Sequence, residues 1–279
     1  MICVSYVEKD GGKMISVPLW KRNVKVCRMP LLVIFAVLSM YVTVIIYMYN
    51  PELSEMLSGY QQALPEMMAA VGMTGVAANL LEWMQIYLYG FIMLLFPLIF
   101  ILIMVQKLLM GPIEGGTLAN LLATPNSRKK IICTQILSMI FFTALLFGMV
   151  TIVGIVSCEI MFPGELAVGR YLMLNVSTWL LQTAVTGIVF FVACCVSDSK
   201  SYYLMGAGLP VVFFLIQMVS NMGEKLEKLK YVTIYSLLPV EEIIKENAVF
   251  PLQNGVLFLI ATALFLLGAW QFQRRDLSL

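Results

Sequence analysis

Six stretches of the chain contain no Asp, Glu, Lys or Arg and are each long enough to cross a bilayer. They run from Leu31 to Tyr49, Trp83 to Gln106, Ile131 to Cys158, Tyr171 to Ser197, Ser201 to Gly223, and Asn247 to Gln273. A hydrocarbon layer of about 30 Å takes about 20 mostly apolar residues as an α-helix, the form that satisfies every backbone N–H and C=O within the segment. One water-soluble core could not hide six such runs: hydrophobic types make up 61% of the 279 residues and charged types 12%, against about 45–50% and 25% in soluble domains. The expected fold is therefore an all-α integral membrane protein with six transmembrane helices. Only the turn around Asp198 and Lys200 separates the fourth stretch from the fifth, which predicts a tight helical hairpin. The first stretch is expected to stay in the mature chain. Its apolar run exceeds a signal-peptide core, and bulky Tyr47, Met48 and Tyr49 follow it in place of small residues.

Orientation follows from the loops, because Lys and Arg are retained on the cytoplasmic side. Residues 1–30, the loop after the second stretch, the hairpin turn and the tail together hold thirteen basic residues, and the alternate loops hold five: Arg170, Lys225, Lys228, Lys230 and Lys245. Acidic residues show the reverse bias, five against eleven. Both termini are expected inside the cell. The chain then divides into a cytoplasmic N-terminal segment (1–30), a six-helix transmembrane domain (31–273) and a cytoplasmic tail (274–279).

Within residues 14–29, Trp20, Val24 and Cys27 recur at helical spacing among Lys21, Arg22, Lys25 and Arg28. That pattern suits a helix lying in the inner interface with its basic side chains on lipid phosphates, or a plain stop-transfer anchor. Residues 50–82 form an acidic outer loop. Residues 221–250 carry Leu226, Leu229, Val232, Ile234, Leu237, Leu238, Ile243 and Ile244, which predicts short helices on or in the outer leaflet before the sixth span.

The chain has no histidine, which removes imidazole catalysis, imidazole metal sites and His-based proton relays. The six cysteines form no C-x-x-C pair, so no thiol metal site is expected. Gly12-Lys13 lacks the glycine and hydroxyl residue of a phosphate-binding loop. No apolar stretch holds an ionisable side chain of the kind that ion-coupled carriers bury. Energy, if used, comes from outside the chain, and the net charge of +2 gives no reason to expect nucleic acid as a partner.

Polar residues within the spans concentrate in the fourth, where Asn175, Thr178, Gln182 and Thr186 share one helix face. They suit either a hydrogen-bonding seam between helices or the lining of a substrate path. On the inner loop Gly111 to Lys130, Thr117 can cap a short helix holding Leu118, Leu121 and Leu122, while Pro125 and Asn126 end it and Arg128 to Lys130 anchor the next span. An apolar-faced helix on such a loop is either a docking element or ordinary surface amphipathy.

At this loop the chain resembles the permease subunits of ABC-2 type transporters, with Glu114, Gly116, Thr117, Leu121, Leu122, Pro125, Ser127 and Arg128 matching in order. The tail from Phe272 through Arg274, Arg275 and Asp276 is similar to that family's basic ending, and the six spans agree. The resemblance implies a multi-pass exporter subunit of the bacterial plasma membrane, paired with a second permease in a homodimer or heterodimer and with separate ABC ATPase subunits that hold ATP and Mg. This chain itself would hold no cofactor. The inner loop would be the coupling helix, with Leu118, Leu121 and Leu122 as apolar contacts and Glu114 and Arg128 fixing its angle. Gln135 stands where the family often has lysine. A non-transporting sensor or assembly component of the same fold is the alternative, and an intramembrane enzyme lacks the residues for it.

Overall fold

A computed structural model describes residues 15–50, 59, 63–73, 75, 77–116, 127–222, 226–244 and 250–274. Among them six helices are long and apolar enough to cross a membrane: α1 (Val17–Tyr47), α4 (Ile92–Glu114), α5 (Arg128–Met161), α6 (Val168–Cys195), α7 (Ser199–Ser220) and α9 (Phe250–Arg274). Short helices α2 (Pro65–Ala70), α3 (Leu80–Met84) and α8 (Val240–Ile244) lie in the connections. No strand occurs among the described residues.

The basic segment expected as an interfacial helix is not a separate element. It is the first half of α1, which runs 31 residues through Pro30 without a break. The reason is one buried stripe, Leu19, Asn23, Cys27, Leu31, Ile34, Leu38, Val42 and Ile46, that recurs every three or four residues along the whole helix, which packs against α5 and α4. At ~1.5 Å per residue, α1 is about 46 Å long and α5 about 51 Å, well beyond the hydrocarbon thickness. Lys21, Lys25 and Arg28 stay exposed on the overhang.

The second span also differs from its expected bounds. The helix begun at Leu80 passes through a π segment, Gln85–Tyr89, and turns at Gly90 and Phe91, so the membrane-crossing helix starts at Ile92 and continues to Glu114. Gly90 is where Gly72, at φ +75°, meets it backbone to backbone: a Cβ on Gly90 would lie 2.9 Å from the Gly72 Cα. Only glycine tolerates both the left-handed conformation and that approach, and the contact seats the end of the first long connection on the start of span two.

α6 and α4 are the most buried spans, and α6 packs on α9, α4 and α5. α4 is also the least regular helix. Pro97 offers no N–H to the turn before it, and the π segment Gln106–Met110 displaces further carbonyls. Three neighbouring spans each supply a side-chain donor there. Gln182 of α6 donates to the Leu94 carbonyl (2.9 Å), Tyr202 of α7 to Leu102 (2.9 Å) and Gln135 of α5 to Leu108 (2.9 Å). Such interhelical bonds contribute about 0.6–2 kcal/mol each in a membrane.

Near the opposite ends of the bundle, α5 gives way to a tyrosine. A Cβ on Gly154 would overlap the Tyr171 hydroxyl and fall 2.8 Å from its Cζ. Gly154→Ala should lower stability by about 1–3 kcal/mol through overpacking, and adding Tyr171→Phe should recover part of the loss. Thermal unfolding of the purified variants in one detergent checks both. An unchanged midpoint for Gly154→Ala would contradict the packing.

Candidate functional site

The loop after α4 is described at its two ends, and each end is tied into the bundle. At entry, Glu114 closes α4 and its Oε2 accepts a hydrogen bond from the Ser199 hydroxyl, whose oxygen accepts one from Gln106 Nε2 (3.1 Å). Ser199 opens α7, so Glu114 is joined to the turn between α6 and α7. Gly116 follows at φ +65° with open space where a Cβ would sit, so glycine is favoured there by backbone conformation alone. Thr117, Leu118, Leu121, Leu122 and Pro125 lie outside the described residues. At exit, Ser127 caps α5 by accepting from the Lys130 N–H (3.2 Å), and the Arg128 guanidinium donates to the Gln273 carbonyl at the end of α9 (3.4 Å).

Electrostatics at this face follow from helix polarity. Arg128, Lys129 and Lys130 occupy the first turn of α5, where the helix dipole disfavours cations by roughly 0.3–1 kcal/mol each. Their position therefore does not serve the helix dipole. Asp198 does the opposite at α7, accepting from the Ser201 N–H (2.8 Å) and hydroxyl (3.0 Å). The backbone bond from Ser201, then the hydroxyl bond, hold its carboxyl below the usual carboxylate range. A lowered folded value means the cap is present at and above neutral pH and is lost only as pH falls into the acid range.

The four polar residues of span four are all buried. Asn175 Nδ2 donates to the Tyr171 carbonyl (2.8 Å), and the hydroxyls of Thr178 and Thr186 bond their own preceding turns at Leu174 and Gln182 (2.7 Å each). Gln182 reaches across to α4 at Leu94, and the Asn175 side chain faces Tyr89 ahead of that helix. In this conformation the face packs toward α4 and opens to no cavity among those described.

Sequence reasoning passed over a polar knot at the other contact, between α1 and α5. Asn23 Nδ2 donates to Gln135 Oε1 and to Ser138 Oγ (2.8 Å each), while Gln135 Nε2 holds the Leu108 carbonyl, and the Ser16 N–H donates to Thr134 Oγ1 (3.0 Å). Gln135 thus bridges three spans and does not face lipid. One signal was available: Asn23 falls between Leu19 and Cys27 on the apolar stripe of α1, the single amide there.

The ends that meet in these bonds show which faces coincide. Residue 16 lies by residue 134, and residue 128 by residue 273, so six crossings return the chain to the face it left. That arrangement defines a multi-pass α-helical membrane protein with a clamped loop on its terminal face. The family described as ABC-2 family transporter protein matches residues 20–277, and the chain belongs to it. It is a permease component of an ABC transporter, the kind of subunit that works with an ABC ATPase. A comparison with curated proteins gives no match.

The knot yields a measurable coupling. Gln135→Leu strips a partner from both Asn23 and Leu108 and should cost about 1–3 kcal/mol. A double-mutant cycle with Asn23→Leu should return a coupling near 1 kcal/mol. Strict additivity in chemical or thermal unfolding would mean that the two amides do not interact.

Proposed function

We propose that this permease is an exporter subunit of a bacterial plasma membrane, with its terminal face in the cytoplasm, driven by ATP and Mg bound in a separate ABC ATPase. The observation that carries the reading is the double clamp on the loop from Gly111 to Lys130. Its entry is bound to the α6–α7 turn through Glu114 and Ser199, and its exit to the end of α9 through Arg128. Displacing the loop would pull on both of these contacts. Force applied to Leu118, Leu121 and Leu122 by a closing ATPase would reach α4 and α5 directly and α7 and α9 through the clamps.

The thirteen-to-five basic bias supports this orientation. So does the cationic first turn of α5, which suits the anionic lipid phosphates of the cytoplasmic leaflet. A second permease, of the same or a different chain, would complete the pathway. Asn175, Thr178, Gln182 and Thr186 would then act in one of two ways, as the seam by which α6 rides on α4 or as a path that opens when the two helices part.

Replacing Leu121 and Leu122 together by Asp should leave the chain in the membrane and abolish co-purification of the ATPase, because two carboxylates cannot enter an apolar groove without partners. Retention of a stoichiometric ATPase by the double variant would sink the coupling assignment.

A further inference from the structure

On the face opposite the termini, a cavity of about 690 Å³ lies between the starts of α4 and α9, the end of α7 and the segment from Lys230 to Glu242. Its size is that of a small-molecule site, but its wall is not the mainly apolar one such sites usually have. Amides come from three helical regions: Gln85 before α4, Gln217 from α7 with Asn221 capping its end, and Gln253 from α9. The Gln217 amide is held at both ends, Nε2 donating to Asn221 Oδ1 (3.2 Å) and Oε1 accepting from the Thr233 hydroxyl (2.6 Å). Its orientation is therefore set before anything binds.

Two wall groups are buried without a partner, the Tyr235 hydroxyl and Gln253 Oε1. Tyr235 is only 3% exposed, and burial pushes its phenol well up, keeping it a neutral donor. An unsatisfied buried polar atom destabilises the fold, and both would have been avoided by Phe and Leu of similar shape. The fixed charges cancel: Lys230 and Glu242 both line the wall. A polyanion or polycation would meet one of them as a like charge, and an apolar solute would leave the amides without partners.

We propose that this cavity is a binding site for a neutral solute that presents hydrogen-bond donors and acceptors together, as amide or hydroxyl groups. Gln85 makes a direct contact from the rim, the Tyr235 hydroxyl and Gln253 Oε1 gain a partner as their side chains turn toward the solute, and Thr233 and Asn221 position Gln217. The inference deepens the exporter reading and rests on it for the site's place in a transport cycle, as an outward-facing station.

The test is binding to the full chain in nanodiscs by saturation-transfer NMR, with four probes: N-acetyl-tetraglycine amide, maltotetraose, tetraphenylphosphonium and citrate. Saturable binding of a neutral probe is expected, weakened at least tenfold by Tyr235→Phe combined with Gln253→Leu and not displaced by the charged probes. Binding of the peptide alone identifies amide recognition, and binding of the sugar alone identifies hydroxyl recognition. The paired variant should unfold no earlier than the parent, because it removes two unpartnered atoms. Gln85→Ala, on the half-exposed rim, gives the same readout if that pair fails to fold. Failure of both neutral probes to bind, equal binding of a charged probe, or affinity unmoved by the variants would overturn the proposal and leave water as the occupant. Binding needs no ATPase, so a positive result without a co-purifying ATPase keeps the site and fails the exporter reading. Absence of binding with the ATPase present does the reverse.

Discussion

The irregular backbone of α4 is the constraint on which the bundle depends. A helix bearing Pro97 and a π segment leaves its carbonyls accessible to side chains of its neighbours, and in hydrocarbon no water competes for them. Gln182, Tyr202 and Gln135 bond there from three different spans, Tyr202 adding to the Gln106 N–H that the Leu102 carbonyl already accepts. Each bond is worth little by itself. Together they fix the depth and rotation of α5, α6 and α7 against one central helix, where apolar packing alone would allow sliding.

The same bonds place the described ends of the loop proposed to meet the ATPase. Gln135 also accepts from Asn23, which brings α1 into the arrangement. Gln106, at the start of the π segment, reaches Ser199, which donates to Glu114. The polar contacts along α4 therefore lead into the entry clamp of the loop, and the exit clamp at Arg128 ties in α9. Packed interfaces of this kind move between discrete arrangements and do not deform continuously, which suits the proposed coupling of a push at one face to an opening at the other.

Much of this was legible beforehand. The six spans, the hairpin at Asp198 and the short helices between α7 and α9 follow from length and apolarity, since lipid enforces helices on any segment that crosses it. The bounds were less secure where polar or special residues sit inside apolar runs. Charge-free counting began span two at Trp83, whereas the chain turns at Gly90 under the Gly72 contact and the span reaches Glu114. Pattern also divided the basic segment from span one at Pro30, where a continuous buried stripe keeps α1 whole. Gln135 read as a departure from the family, and its role depends on Asn23, 112 residues away.

By itself the sequence determined that this chain lives in a membrane, how many times it crosses, and which loop carries the family's coupling pattern, because those properties depend on local composition and on charge beside each span. Only the tertiary structure decided which polar side chains answer which carbonyls, that Glu114 and Arg128 fasten the loop to α7 and α9, and that four amides from distant segments share one cavity. Hydrogen-bond partners in hydrocarbon are selected by helix rotation and depth, which are collective properties of the packed bundle that no single segment encodes.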